Sequence, residues 1–264
     1  MNAIKLASTL SVVLLLLFQS NLWAESVSEN NSRAKIVKSH GHIHVENSKG
    51  EKRKVDSNPF IVNSNETVVT SKESKAVLQF DDGAMSVLDE SSSLRIEKSG
   101  WLSQLGGKVY YVFRKVFGKE KSKKVITKFA TIGIRGTTFI VNVEDGNQQV
   151  ALQEGKLNIE SPDAEYEFLK PVKVADDFSE FQQQQKIRRE NLDNEFSEYK
   201  KNMRKEFVEY KKNFDLAANK VVSFNGKRVD ESNLNKGWES SFDDFADFSK
   251  DYIGAYKELD QATD

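Results

Sequence analysis

Short runs of apolar and β-branched residues, separated by turn residues, make up the chain from residue 36 to residue 97. Clusters such as Ser57-Asn58-Pro59 and Asp81-Asp82-Gly83 separate these runs. Closely spaced strands with such turns between them are typical of sandwiches, rolls and barrels. Gly106-Gly107 then opens a further strand, rich in Val, Tyr and Phe, at 108–116. The pattern predicts a mainly antiparallel β roll or sandwich.

The stretch from Phe129 to Ser161 predicts an antiparallel meander that follows a tight glycine-bearing turn. Asp145-Gly146 and Glu154-Gly155 separate its β-rich runs. Asp-Gly between such runs is a strong hairpin signal. The predicted strands lie at 137–143, 149–153 and 156–160.

The hydrophobic pattern becomes helical after a last predicted strand at 166–174. No glycine or proline occurs from Asp176 to Lys220, which predicts a long helix. Residues 195–203 and 206–214 repeat each other at a spacing of eleven residues, which corresponds to 3.67 residues per turn. The repeat places one apolar stripe along the helix, a possible interaction surface: Phe196, Tyr199, Met203, Phe207, Tyr210 and Phe214.

A second amphipathic stretch, Trp238 to Leu259, predicts a shorter helix, and Val221 to Val229 predicts a hairpin turn or a helix stop before it. The expected fold class is therefore α+β, with a β roll or sandwich followed by a C-terminal amphipathic helical hairpin. The shorter helix cannot cover the whole stripe. The remainder would contact the β-domain or another chain, which makes a homo-oligomer through the C-terminal helix possible.

The first residues have the layout of a secretory signal. One lysine precedes an almost wholly apolar run from Leu6 to Phe18, and Ala24 offers a small residue for cleavage. We expect a periplasmic or secreted protein with no stable membrane span after cleavage; the alternative is an uncleaved N-terminal anchor. The predicted organisation is a signal peptide at 1–24, a flexible leader at 25–35, a β-domain at 36–172 and a helical region at 173–264.

Composition excludes several classes of chemistry. The 264 residues include no cysteine, so disulfides and thiol nucleophiles are impossible, and the net charge of −1 together with the export signal argues against nucleic acid. His40, His42 and His44 would project from one face of a strand, but no further metal ligand can be named, and a solvent-facing strand is the alternative. We predict no enzyme, no metal and no cofactor.

The glycine-bearing turn and the meander together resemble the FecR-domain family. The resemblance is carried by Ala130 to Phe139, followed by Val150 to Leu157, and extends over about 67–160 with a preceding β portion from Ile36. The residues that carry the motif, expected to be structural, are Gly133, Arg135, Gly136, Thr137, Phe139, Glu154 and Gly155.

The resemblance implies a non-catalytic β-module for protein or envelope contact. FecR-domain proteins are similar to periplasmic sensors that relay outer-membrane receptor occupancy to a sigma factor. The sequence shows neither the cytoplasmic anti-sigma helical domain nor the internal membrane span of the signalling members, so we expect no direct transmembrane control of a sigma factor. We expect an interaction or scaffold protein of the envelope with a protein partner; the alternatives are a regulatory sensor that works with separate membrane partners and an envelope-polysaccharide binder.

Two local features leave alternatives open. Gly133 and Gly136 permit positive φ or close backbone approach, and Arg135 between them either satisfies buried carbonyls or points to an acidic partner. A basic loop supplies either solvated charge or a dock for an anionic envelope polymer or lipid headgroup. Its residues are Arg114, Lys115, Lys119, Lys121, Lys123 and Lys124.

Overall fold

The computed structural model describes residues 34–113, 123–134, 136–169 and 208–261, with the helix side chains described as far as Tyr252. These residues form nineteen strands and one helix. No helix among them is long and apolar enough to cross a membrane. The first strands are β1 Ala34–His40, β2 Ile43–Glu46, β3 Lys52–Lys54, β4 Phe60–Val62, β5 Thr67–Thr70, β6 Lys75–Phe80, β7 Met85–Leu88, β8 Ser93–Ile96 and β9 Leu102–Phe113. They are followed by β10 Lys124–Ile126, β11 Thr131–Ile134, β12 Thr137–Glu144, β13 Asn147–Glu154, β14 Lys156–Glu160, β15 Tyr166–Leu169, β16 Val208–Lys211, β17 Asn213–Ala217, β18 Lys220–Asn225, β19 Arg228–Asn233 and α1 Lys236–Gln261.

The strands form two sheets that share the long strand β9. Sheet A has the order β4-β1-β6-β7-β9-β12-β13-β18-β19-β15-β16. Sheet B has the order β3-β2-β5-β8-β9-β10-β11-β14-β17. The pairs β9–β10 and β15–β19 are parallel, and the other pairs are antiparallel. The prediction of a mainly antiparallel β architecture is confirmed.

The alternation of side chains along the strands produces two hydrophobic clusters. On β9, Val109 and Tyr111 belong to the larger cluster, which draws residues from both sheets and lies between them. Tyr110 points the other way, into a smaller cluster on the outer face of sheet A that also contains Phe242 and Phe245 of α1. Sheet A is therefore buried on both faces over its central strands.

The chain passes from one sheet to the other at corners where small residues meet. Gly41, at φ +78°, lies between β1 and β2, and a Cβ there would overlap Ser74 at the corner between β5 and β6. Gly107, at φ +79°, bends β9 and lies against Ser92 at the corner between β7 and β8. An L-residue in this left-handed conformation is strained, and a side chain would have no room here.

The helix α1 lies on the outer face of sheet A and is held at both ends of its described part. The Asn235 side-chain oxygen accepts hydrogen bonds from the backbone N–H groups of Gly237 and Trp238 at 3.0 and 3.2 Å, which caps the first turn. The Phe245 ring stacks on Tyr110 with a centroid distance of 5.6 Å. At the far end, the Tyr252 hydroxyl donates to the Val37 carbonyl at 2.9 Å.

The predicted C-terminal helical hairpin is not shown, because the described residues hold one helix there. The shorter helix exists as α1, but residues 208–233 form β16 to β19. Phe214 packs against the larger cluster and Leu216 is buried within it, while β17 pairs with β14, so a period of two overrides the helical repeat. The predicted hairpin turn lies between β18 and β19, and predicted helix residues 176–207 lie outside the described residues. At the other end, β1 begins at Ala34, inside the predicted leader.

Candidate functional site

The family-like motif forms a corner at which two neighbouring chain segments pass between the sheets. Gly136, at φ +61°, connects β11 in sheet B to β12 in sheet A, and Gly155, at φ +89°, connects β13 to β14 in the opposite direction. A Cβ on Gly155 would overlap the Gly136 carbonyl oxygen and lie 2.7 Å from Thr137 Cγ2. We call Gly136, Thr137, Glu154 and Gly155 the signature corner. Its glycines allow two backbones to touch.

The remaining motif residues have different roles. Phe139 is fully buried and its ring lies 5.0 Å from Tyr111 and 6.1 Å from Phe113, so it belongs to the core. Gly133 lies within β11 without positive φ, and a Cβ there would be 3.5 Å from the nearest atom, Asn158 O. The structure therefore shows at Gly133 neither of the two expected reasons for a glycine, a positive φ or a close backbone approach. Arg135 lies outside the described residues.

Glu154 lies at the sheet A end of the signature corner. Its carboxylate accepts a hydrogen bond from the Thr138 hydroxyl at 3.4 Å. Burial, and secondarily the negative charge of Glu154, raise the pKa of Tyr110 beneath α1. Thr137, in contrast, is buried with its hydroxyl unpartnered. The corner therefore combines one exposed carboxylate with a largely apolar interior.

Lys123, a residue of the predicted basic loop, lies close to the signature corner. Its ammonium lies 2.6 Å from Asp82 Oδ2 and 4.6 Å from the centroid of the Phe80 ring. Its carbonyl oxygen accepts a hydrogen bond from the Ile134 N–H at 3.3 Å, one strand from the corner. Burial lowers the pKa of the Lys123 ammonium, while the attraction of Asp82 and Asp81 opposes that shift. With a side chain only 17% exposed, Lys123 is not a solvated loop charge.

The two described residues of the predicted basic loop do not act together. Lys124 opens β10 directly after Lys123, and the two ammonium groups lie against different aromatic rings. The Lys124 ammonium lies 4.9 Å from the centroid of the Trp101 ring. The other predicted loop residues lie outside the described residues: Arg114, Lys115, Lys119 and Lys121.

The predicted aromatic stripe is not a single surface where the structure describes it. Phe196, Tyr199, Met203 and Phe207 lie outside the described residues. Tyr210 lies on β16 and is 55% exposed. Phe214 lies on β17, where its ring packs 4.9 Å from Phe168 and 5.6 Å from Tyr166. One of these side chains therefore faces solvent and the other closes the core.

The outer face of sheet B carries an open groove of about 550 Å³. Thr67 and Ser93 line it together with Leu105, which is 53% exposed. At one wall, Glu97 accepts hydrogen bonds from Ser103 Oγ at 2.6 Å and from Arg95 Nε at 2.9 Å. Partial burial raises the pKa of Glu97, but these two hydrogen bonds and the positive charge of Arg95 together outweigh it and lower the pKa overall. The groove thus offers an ionised carboxylate beside an apolar contact.

The histidines do not share the face of one strand. His40 ends β1 in sheet A and His44 lies in β2 in sheet B, with the corner at Gly41 between them. The strand on which the predicted spacing depends is therefore interrupted. In the part of the chain that the structure describes, no group of three or more His, Cys, Asp or Glu residues could hold a metal ion.

Several contacts could not be anticipated from the motif. Lys75 Nζ lies 2.5 Å from Asp244 of α1 and 3.6 Å from Asp89, and Lys38 Nζ donates to the Phe248 carbonyl at 2.8 Å. These lysines fix α1 to the sheet. The sequence does predict a hairpin turn at Asp81-Asp82-Gly83, and this turn carries Asp82, the carboxylate that pairs with Lys123. It does not indicate that the two residues meet.

Comparison with known proteins tests the family resemblance. No curated protein matches this chain in sequence. Two crystal structures of a candidate anti-sigma factor from Parabacteroides distasonis ATCC 8503, at 1.65 and 2.50 Å, each share 13% identity with a TM-score of 0.43. The alignment covers 67% of this chain and 63% of that one. Residues 66–158 match the family model described as FecR protein, which confirms the predicted resemblance over this part of the chain.

Proposed function

We propose that this chain is a non-enzymatic protein of the cell envelope that works by binding a protein partner in signal sensing. The observation that carries the proposal is the FecR match over residues 66–158. Members of this family are regulatory, and the motif residues that the structure describes stabilise a corner of the fold rather than forming a reactive site. A role as a scaffold for envelope proteins is the more specific form of the proposal.

The surface that we propose for the partner is the outer face of sheet B around the groove. Helix α1 covers the central strands of sheet A, whereas Leu105 on sheet B is 53% exposed beside the Arg95–Glu97 pair. An exposed apolar side chain rimmed by charged groups is a usual form of a protein contact. The FecR domain supplies both elements of this surface.

Site-specific photocrosslinking in cells tests this proposal. A photoreactive residue at Leu105 should join the chain to a defined envelope protein, while one at the exposed Asp247 on α1 should not. Leu105→Asp should abolish the interaction of the purified pair and reproduce the transcriptional change caused by deleting the protein. A partner that binds Leu105→Asp normally, or a deletion with no transcriptional effect, would contradict the proposed role.

Export is a separate part of the proposal. It is supported by the apolar run from Leu6 to Phe18 and by the small residue at Ala24. Mass spectrometry of the protein from the periplasmic fraction should give a mature chain that begins at Glu25. An intact N-terminus in a washed membrane fraction would indicate an anchor instead, and recovery from the cytoplasm would contradict export.

A further inference from the structure

Strand β16 is an edge of sheet A in the part of the chain that the structure describes. It pairs with β15 on one side, and among the residues that the structure describes no strand lies on its other side. A free strand edge presents backbone N–H and C=O groups that can pair with another strand. What such an edge accepts depends on the side chains that would face each other across the new pair.

The side chains of β16 are complementary to themselves. The strand is Val208-Glu209-Tyr210-Lys211. If a second copy pairs antiparallel with Tyr210 opposite Tyr210, then Glu209 of each copy stands opposite Lys211 of the other. Within one chain Lys211 Nζ lies 3.2 Å from Glu209 Oε2, and this register would give each of these charges a second partner across the strands. It would also place one aromatic pair at the centre, and both kinds of neighbour are favourable in a sheet. We propose that β16 is a homodimer interface at which sheet A continues into the sheet of a second copy.

The exposed apolar residues nearby favour the same arrangement. Tyr210 is 55% exposed and Leu169 is 49% exposed. Their register places both on one face of the sheet, because Glu167 stands opposite Tyr210 and Leu169 stands opposite Val208. Pairing of β16 across a two-fold axis would bring the two Tyr210 rings together between the two Leu169 side chains. The pair would then bury apolar surface that is exposed in one chain.

Two other sheet edges lack this complementarity. β3, an edge of sheet B, consists of Lys52, Arg53 and Lys54, which are all exposed and would repel a second copy. β17, the opposite edge of sheet B, would place Asp215 against Asp215 in the corresponding register. Like charges directly opposite each other destabilise a strand pair. The charge pattern therefore selects β16 among these edges.

Charge reversal tests the interface with the full-length mature chain in sedimentation velocity over a range of concentrations. We expect concentration-dependent dimers of the native chain. Glu209→Lys and Lys211→Glu should each weaken dimerisation by at least about tenfold, because each places like charges opposite each other twice. An equimolar mixture of these two variants should restore the dimer, since the two lysines on β16 of one variant then face the two glutamates on β16 of the other.

Arg228 and Asp230 provide the matched control. They form an exposed pair with the same spacing on β19, whose two sides are both occupied by strands. Arg228→Glu and Asp230→Lys should leave dimerisation unchanged. A native chain that stays monomeric overturns the proposal. Dimers that persist in both single variants also overturn it, because they would place the contact elsewhere, for instance in residues 170–207.

Discussion

At the scale of single residues, a methyl group at Gly155 should be strongly destabilising. Its φ of +89° is unfavourable for L-residues, and a Cβ would overlap the Gly136 carbonyl oxygen. We expect Gly155→Ala to lower the free energy of unfolding by more than about 3 kcal/mol, measured by urea denaturation. Gly146 is the control for backbone strain without steric overlap, because its φ is +80° but nothing lies within 4 Å of its Cβ position. Gly146→Ala should cost about 1–2 kcal/mol, and equal losses at both sites would contradict the overlap at the corner.

Two buried glutamines allow a matched comparison of satisfied and unsatisfied amides. Gln148 is 1% exposed and neither side-chain polar atom has a partner, whereas Gln104 donates to the carbonyls of Gly107 and Val141 and accepts from the Tyr111 hydroxyl. An unpaired buried amide is destabilising. Gln148→Met should therefore raise the free energy of unfolding by about 1–2 kcal/mol, and Gln104→Met should lower it by at least that amount. Chemical denaturation of both variants measures these changes. A lower free energy of unfolding for Gln148→Met would contradict the prediction.

Lys123 should make stability depend on pH in the alkaline range. Since burial lowers the folded-state pKa below the ordinary 10.5, the unfolded chain binds more protons between these two values, and stability from this group rises with pH across that window. Lys123→Met should remove that rise and leave stability at pH 7 unchanged or slightly higher. Asp82→Asn, which leaves the ammonium without its partner, should cost roughly 1–2 kcal/mol.

The free energy of unfolding of Lys123→Met is subtracted from that of the native chain at each pH. Burial raises the pKa of Tyr110, Tyr111 and Tyr166, so the contribution of these tyrosines to stability falls as the pH rises through their unfolded-state pKa. Their contribution cancels in the difference between the native and Lys123→Met curves. Parallel curves for the two proteins would show that Lys123 titrates as it does in the unfolded chain.

At the scale of elements, α1 depends on its phenylalanines more than on its polar face. Phe245 is 1% exposed and stacks on Tyr110, while Asp247 is exposed. Phe245→Ala should cost about 3–5 kcal/mol, and Asp247→Ala should stay within about 0.5 kcal/mol. Hydrogen exchange gives the second readout: amides of α1 should exchange faster in Phe245→Ala than in Asp247→Ala. Unchanged exchange in both would mean that the helix is held by other contacts.

Some elements could be predicted from the sequence, and others could not. Strands such as β6 and β12 are predictable because β-branched and aromatic residues stand between turns that contain Gly, Asp or Ser. Residues 208–217 are ambiguous in sequence, because Tyr210 and Phe214 fit a helical repeat while Phe214 and Leu216 also fit a strand. Pairing with β14 decides between them. The signature corner is visible as a motif, but the contact of Gly155 with Gly136 depends on strand register, which no local pattern specifies.

At the scale of the whole molecule, the folded unit is larger than the FecR match. The match covers 66–158, but sheet A gains β1 and β18 from outside it, and sheet B gains β2 and β17. These strands contribute Ile36, Val45, Leu216 and Val222 to the larger hydrophobic cluster. The cluster is incomplete without both flanks. Stability therefore resides in the assembly of the central domain with its neighbours along the chain.

Residues 170–207 can be deleted to test whether the fold needs them. Leu169 and Val208 are direct cross-strand partners on β15 and β16, so two residues suffice to connect them. Replacing 170–207 by Asn-Gly should preserve the fold and, by shortening the connection between β15 and β16, raise the free energy of unfolding by about 2–3 kcal/mol. Fragment 66–158 is the contrast and should not unfold cooperatively. Circular dichroism and urea titration measure both; a deletion that loses cooperative unfolding would show that the excised residues are part of the core.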